Sequence, residues 1–335
     1  MAYASRQSSY LLGSVGATLQ VVAGWWDVYS HLLFVSVDPW WNPAHLTLYL
    51  GVVIVIIAVW RGLSTVKVQP SASLSPVNFA NVRGLKLAAI GLIMQIVAGA
   101  WNEIVHHLFR TEPKIAPAHA LLTLGMLTIS LGMIVGLSIE YGMIKHQILV
   151  ITALRRWEVL VSILLVFASI WLASSGALIY LARAYRDSIY VWVVAVLMSF
   201  VSMLVLVPVK QVLRRFGSAT IISIIFNTVA YFFLVTYAGA DPYVPWGIAS
   251  VALFDALVTV LNRRMKRTLA LAISSIVPGA LFYATYFPFT LYLFAWSFRP
   301  QLFSVMVLFG SVLGALVGLR IYSGITTLAL GKVRG

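Results

Sequence analysis

The chain has 335 residues, of which 61% are hydrophobic and only 10% charged, with a formal net charge of +14. Soluble domains carry about 25% charged residues, so an ordinary soluble enzyme is excluded and a polytopic membrane protein is expected, as the mean hydropathy of +0.96 also indicates. Cysteine is absent, which excludes disulfides, thiolate metal sites, iron–sulfur clusters and covalently attached c-type haem.

A membrane-spanning helix needs about 20 consecutive apolar residues. Runs of that kind occur at about 9–36, 43–60, 85–109, 117–141, 158–182, 188–209, 217–238, 244–262, 268–296 and 302–325. Residues 1–9 are polar and the apolar segment after them is too long for a signal-peptide h-region, so a retained span is expected there rather than a cleaved leader. Of the 23 lysines and arginines, 18 fall on one side: before the first span, after the last, in connections that follow an even-numbered span or, as Lys86 and Arg320, at the span ends that face that side. The others, Arg110, Lys114, Arg183, Arg186 and Arg299, fall on the opposite side. By the positive-inside rule both termini are expected in the cytoplasm of a multi-pass plasma-membrane protein. The positive charge is thereby a topology signal. The expected partners are the lipid bilayer and other membrane subunits, with no nucleic acid.

The fold class expected is all-α, a polytopic transmembrane helical bundle of about ten spans arranged as repeated helical hairpins. Residues 1–335 are read as a single integral membrane domain. Within it, 9–60 and 85–141 form duplicated His-containing hairpins and 158–325 supply six further transmembrane helices. The connection 61–84, with Pro70, Ser71, Ser73, Ser75 and Pro76, reads as a surface loop.

In the first hairpin the string runs Gln20, Gly24, Trp26, Asp27, His31, Phe34, Asp38-Pro39 and Pro43-Ala44-His45. The second repeats it as Gln95, Gly99, Trp101, Asn102, His106, Phe109, Glu112-Pro113 and Pro117-Ala118-His119. Five of the six histidines lie inside these two copies. A weaker third copy, without histidine, runs from Asn227 through Tyr231 to Asp241-Pro242 and Pro245-Trp246-Gly247. The hairpin thus reads as a scaffold to which two copies add histidines, and such internal repetition is a common membrane-protein plan.

Asp27 and His31 are i and i+4, hence on one helix face near its outer end. Pro43 suits the first turn of the next helix, which puts His45 on the same side of the membrane. Asp27, His31 and His45 can therefore converge across one hairpin. Asn102, His106 and His119 hold the equivalent places in the second, where Glu103 and His107 form a shifted i, i+4 pair. Imidazoles with a carboxylate suit a metal ion, with copper, zinc or iron all compatible. Bis-histidine haem b is an alternative cofactor, since haem fits between helices of a bundle. The plain alternative is a polar network: an intramembrane Asp costs a few kcal/mol and calls for a partner, and His31 can be that partner.

Trp25, Trp26, Trp40, Trp41 and Trp101 gather at the outer face and read as an aromatic belt, or as the lining of a cleft for a quinone. Asp255 is expected to snorkel or to pair with Arg263 or Arg264. Glu140 and Glu158 are expected at span edges, solvated or paired, and His146 at the cytoplasmic surface. No Walker motif, dinucleotide fingerprint or nucleophile elbow occurs.

The spacing Asp27-x3-His31-x13-His45, with Pro43 before the last histidine, resembles a hairpin of the copper-containing membrane monooxygenases, which oxidise methane or ammonia. In one integral membrane subunit, that family has an Asp-x3-His-x12-His hairpin ending in Pro-Ser-His, whose three side chains bind a metal in the membrane. The second copy, Asn102-x3-His106-x12-His119, matches the spacing but lacks the carboxylate. The likeness covers about 30 residues per copy. The whole chain, free of cysteine, poor in charge and rich in Ile, Val and Tyr, also looks like hydrophobic subunits of archaeal respiratory complexes of the terminal quinol oxidase type. The resemblance implies an electron-transport role as a membrane subunit of an oxidoreductase complex, metal-binding or supporting a catalytic partner, with copper the favoured metal. A transporter and a purely structural subunit are the competing expectations.

Overall fold

The computed structural model describes residues 2–33, 41–67, 76–109, 117–145, 153–184, 188–238, 246–276 and 300–330, and among these the regular structure is all helical. In chain order the helices are α1 (Ala2–Leu33), α2 (Pro43–Lys67), α3 (Pro76–Phe109), α4 (Pro117–Lys145), α5 (Ala153–Ala184), α6 (Ser188–Leu213), α7 (Ser218–Ala238), α8 (Trp246–Leu261), α9 (Arg267–Ile276) and α10 (Pro300–Leu330). Four stretches among the described residues are long and apolar enough to cross a membrane: Pro43–Ser64, Val82–Val105, Pro117–Tyr141 and Arg156–Ser175. Shorter apolar helical stretches occupy Ser199–Leu213, Ser218–Val229, Ile248–Leu261, Arg267–Ile276 and Leu308–Ser323.

The chain divides into two compact units, one of Met1–Ser174 with Ile325–Gly335 and one of Ser175–Gly324. In the first, α1 packs along α2 and α3 along α4, while α1 also meets α4 and α2 meets α3. Glycines set the closeness of these crossings. A Cβ on Gly16 would lie 2.8 Å from the Gly51 carbonyl oxygen, and one on Gly91 2.6 Å from that of Gly125. The two crossings occupy the same place in the two copies. Between the hairpins, Leu85 fills the space beside Gly62, and the Tyr10 ring fills the space beside Gly136. Small residues permit such approach in apolar surroundings, where helix association depends on packing and interhelical hydrogen bonds.

At the centre of this four-helix arrangement Gln95 Nε2 donates to Gln20 Oε1 over 2.8 Å. Both residues are buried. The side chain of Gln20 lies across Gly51 and that of Gln95 across Gly125, so each hairpin presents its glutamine to the other in the same way. The first two hairpins therefore pack as an internal pseudo-dimer with the glutamine pair where they meet.

Helix α5 completes the unit against α1. Ser169 Oγ hydrogen-bonds Thr18 Oγ1 at 3.1 Å, and Trp25 Nε1 donates to the Leu172 carbonyl at 2.6 Å. Trp25 is buried, which corrects its expected place in the aromatic belt: its indole N–H finds a main-chain partner inside the protein, as a buried indole requires. Trp41 and Trp101 are exposed. Trp40 lies outside the described residues.

In the second unit α6 packs on α7 and α7 on α8. On α10, Gly310, Gly314 and Gly318 recur at i, i+4 and i+8, and a Cβ on the first two would strike the α6 backbone at Val196 and Phe200. The turn from α6 to α7 uses positive φ at Arg214 (51°) and Gly217 (82°). A buried charge cluster holds this turn. Lys210 Nζ pairs with Asp255 Oδ1 at 2.5 Å and donates to the Arg215 carbonyl at 2.8 Å. The other carboxylate oxygen of Asp255 accepts from Thr220 N and Thr220 Oγ1, each at 2.8 Å, which satisfies a free amide in the first turn of α7. Asp255 thus pairs with Lys210 rather than Arg263 or Arg264, because it is buried and the cation that reaches it inside comes from α6. Glu140 is also buried rather than solvated.

Candidate functional site

Asp27 stands on the last third of α1 and His45 in the first turn of α2. The turn that opens α2 is organised by Asn42, whose Oδ1 accepts the Ala44 amide at 3.1 Å while its carbonyl accepts from Leu46 N at 2.9 Å. That is an N-cap, with Pro43 at the first helical position, where a missing N–H costs nothing. Capping fixes where α2 begins and so where His45 projects. The Gly16–Gly51 crossing then brings α1 and α2 together along their length.

The result is a close contact, with His45 Nε2 and Asp27 Oδ1 2.8 Å apart, an ion pair when the imidazole is protonated. Their side chains are mostly withdrawn from solvent, 23% and 17% exposed. The carboxylate lies beside the start of α2, where the helix dipole favours negative charge. One turn further along α2, Tyr49 places its ring 6.3 Å from that of His45.

Of the residues the spacing singled out, Asp27 and His45 are brought together. His31, His106 and His107 stand on α1 and α3, with side chains outside the described residues, and His146 lies outside them entirely. Asn102 and His119 occupy the equivalent positions on α3 and α4, partly buried, while Glu103 is exposed. Among the described residues no group of three or more His, Asp or Glu assembles as a metal site. The third copy retains Asn227, whose amide donates to the Ser223 carbonyl and hydroxyl on its own helix; Asp241 to Pro245 lie outside the described residues.

The spacing did not single out Tyr49 or Asn42 as parts of this site. A signal for each was present: Tyr49 is i+4 from His45, and Asn42 directly precedes the Pro-Ala-His string. Nor did it distinguish Gln20 and Gln95 from the rest of the repeated string, although their recurrence in register was visible.

The donors fit a borderline metal ion in type. An imidazole nitrogen and a carboxylate oxygen are what copper, zinc or iron accept where no thiolate is present. At 2.8 Å the two groups touch directly, whereas ligands of one tetrahedral ion with bonds of about 2.0 Å stand roughly 3.3 Å apart. Compared with known proteins, the chain matches no family model, no curated protein and no solved structure.

Proposed function

We propose that the chain is an integral membrane subunit of a multi-subunit oxidoreductase complex, of the respiratory, quinol- or oxygen-using kind. It carries a His/Asp metal site near the extracytoplasmic face. The observation that supports this is the Asp27–His45 pair, joined across the first hairpin at 2.8 Å. His31, four residues beyond Asp27 on α1, is the third ligand in this reading. Copper is favoured by the hairpin's resemblance to that of the copper membrane monooxygenases; a monooxygenase-like role is accordingly the nearest variant. The second copy, with Asn102 in place of the carboxylate, is the weaker site, through His106, His119 and the neighbouring Glu103 and His107.

The bilayer topology belongs to the same reading. The ten spans rest on the apolar runs and the cytoplasmic termini on the distribution of the 23 basic residues, and in this reading both copies lie at the outer face. A structural role is the second reading, and one observation favours it: His45 and Asp27 are in direct contact, which clasps α1 to α2.

Metal analysis of the purified native complex separates the two. The metal reading expects about one copper, zinc or iron ion per chain, lost from His45→Ala and from His31→Ala while the complex still assembles. Unchanged metal content in both variants sinks the site and leaves the clasp. An absorption spectrum of the same sample with haem b bands that vanish in either variant assigns the histidines to haem instead.

A further inference from the structure

The internal pseudo-dimer makes a comparison that neither hairpin offers alone. On α1, Thr18, Val21 and Trp25 form one face, and α5 covers it through the Ser169–Thr18 and Trp25–Leu172 hydrogen bonds. Val21, between these contacts, is 1% exposed. The residues in the same register on α3 are Ile93, Ile96 and Ala100, and Ile96 is 58% exposed. The neighbouring helices repeat the contrast. Ser130 and Ile134 on α4 are buried, Ile134 at 3% exposure, whereas their counterparts on α2, Ile56 and Trp60, are exposed, Trp60 at 70%. Within the first unit, and among the described residues, one side of the pseudo-dimer is covered, and the matching side, across α2 and α3, is not.

We infer that the α2–α3 face seats a transmembrane helix of another polypeptide, in the place that α5 takes on the equivalent side. The chemistry of the face describes that helix. Thr18 and Trp25, which make polar contacts to α5, are replaced by Ile93 and Ala100, so the partner helix is apolar and needs no hydrogen-bonding group here. A Cβ on Gly99 would meet nothing within 4 Å, and Ala100 stands where α1 carries an indole. The face is therefore recessed at this level, and the partner fills it with large apolar or aromatic side chains, since an unfilled recess forfeits dispersion contacts. Exposed Ile and Val suit lipid as well; the covered counterpart is the observation that favours a helix. The inference rests on the chain being a subunit of a complex, and is independent of the metal.

Because the chain has no cysteine, a single introduced thiol is a unique attachment point. Ile96→Cys, Ile93→Cys and Trp60→Cys, all at exposed positions, are labelled with a thiol-reactive benzophenone in native membranes and irradiated; Leu131→Cys, exposed on α4, is the control. The expected result is one discrete heavier adduct from the α2–α3 positions, containing a peptide from a different polypeptide, and none from Leu131→Cys. Lipid adducts alone, an adduct with a second copy of this chain, or a link within the chain's own residues 175–324 overturns the inference. Metal content measured on the same membranes keeps the readings apart. A partner adduct without metal leaves the interface standing and removes the site; metal with lipid adducts alone does the reverse.

Discussion

Gln95 donates a 2.8 Å hydrogen bond to Gln20, joining the same position of two repeated hairpins at the point where they meet. The remaining amide atoms, Gln20 Nε2 and Gln95 Oε1, are buried with no hydrogen-bond partner. The pair is thus a specific contact between hairpins and a small store of unsatisfied polarity. Either Gln→Leu substitution alone leaves the other amide wholly unpaired in the core, and each is expected to destabilise the first unit by about 1–3 kcal/mol. The double Gln20→Leu/Gln95→Leu variant is expected to lose less than the two singles together. A double-mutant cycle of thermal unfolding in detergent reads the coupling; strict additivity would show that the contact contributes nothing.

The glycine crossings make a symmetry-based prediction. Gly51→Ala and Gly125→Ala each place a methyl group 2.8 Å from a backbone carbonyl oxygen, of Gly16 and Gly91 respectively. Backbone cannot yield as a flexible side chain does, so both should destabilise by about 1–3 kcal/mol, and by similar amounts. Gly99→Ala meets no atom and should stabilise α3 by about 0.5–1 kcal/mol, the helical preference of Ala over Gly. Melting temperatures of the three variants in one detergent suffice, and a large loss from Gly99→Ala would contradict the geometry.

The Lys210–Asp255 pair is buried on both sides, and breaking such a pair is more costly than replacing it whole. Lys210→Met strands a carboxylate in the interior and is expected to cost about 3–5 kcal/mol. Lys210→Met/Asp255→Leu should recover part of that loss. It will not recover all, because Asp255 also accepts two hydrogen bonds from Thr220 at the start of α7. Proteolysis or unfolding of the second unit, followed separately from the first, distinguishes these outcomes.

Asn42 connects local capping to the candidate site. Asn42→Ala removes the side-chain acceptor for the Ala44 amide and is expected to cost about 0.5–2 kcal/mol of stability. Asn42→Asp keeps an acceptor and should be close to neutral. If the metal reading holds, Asn42→Ala also weakens metal retention, because His45 is only three residues from the cap; metal titration of the two variants tests this. Equal retention in both would show that the cap does not position the ligand.

The apolar runs of about 20 residues pointed to the helical class, because a helix satisfies its own backbone where no water reaches it. The linear order of residues also exposed the duplication, since Gln, Gly, Asp or Asn and the histidines recur in register. It marked Asp27 and His45 as neighbours, since Asp27 stands near the end of one helix and Pro43 opens the next on the same side of a short hairpin. The division into two units, and a buried Trp25, were not legible. Both depend on which helix faces which, and a uniformly apolar helix carries little periodicity to announce its buried side. The same reason hid the partner of Asp255: Arg263 and Arg264 are nearer in the chain, but Lys210 is the cation that α6 carries into the interior. Three-dimensional packing was needed to turn the repeat into a pseudo-dimer, because the glutamine contact and the glycine crossings join residues that no local pattern couples. The packing of α5 on one side then distinguished two faces that the repeat had made alike.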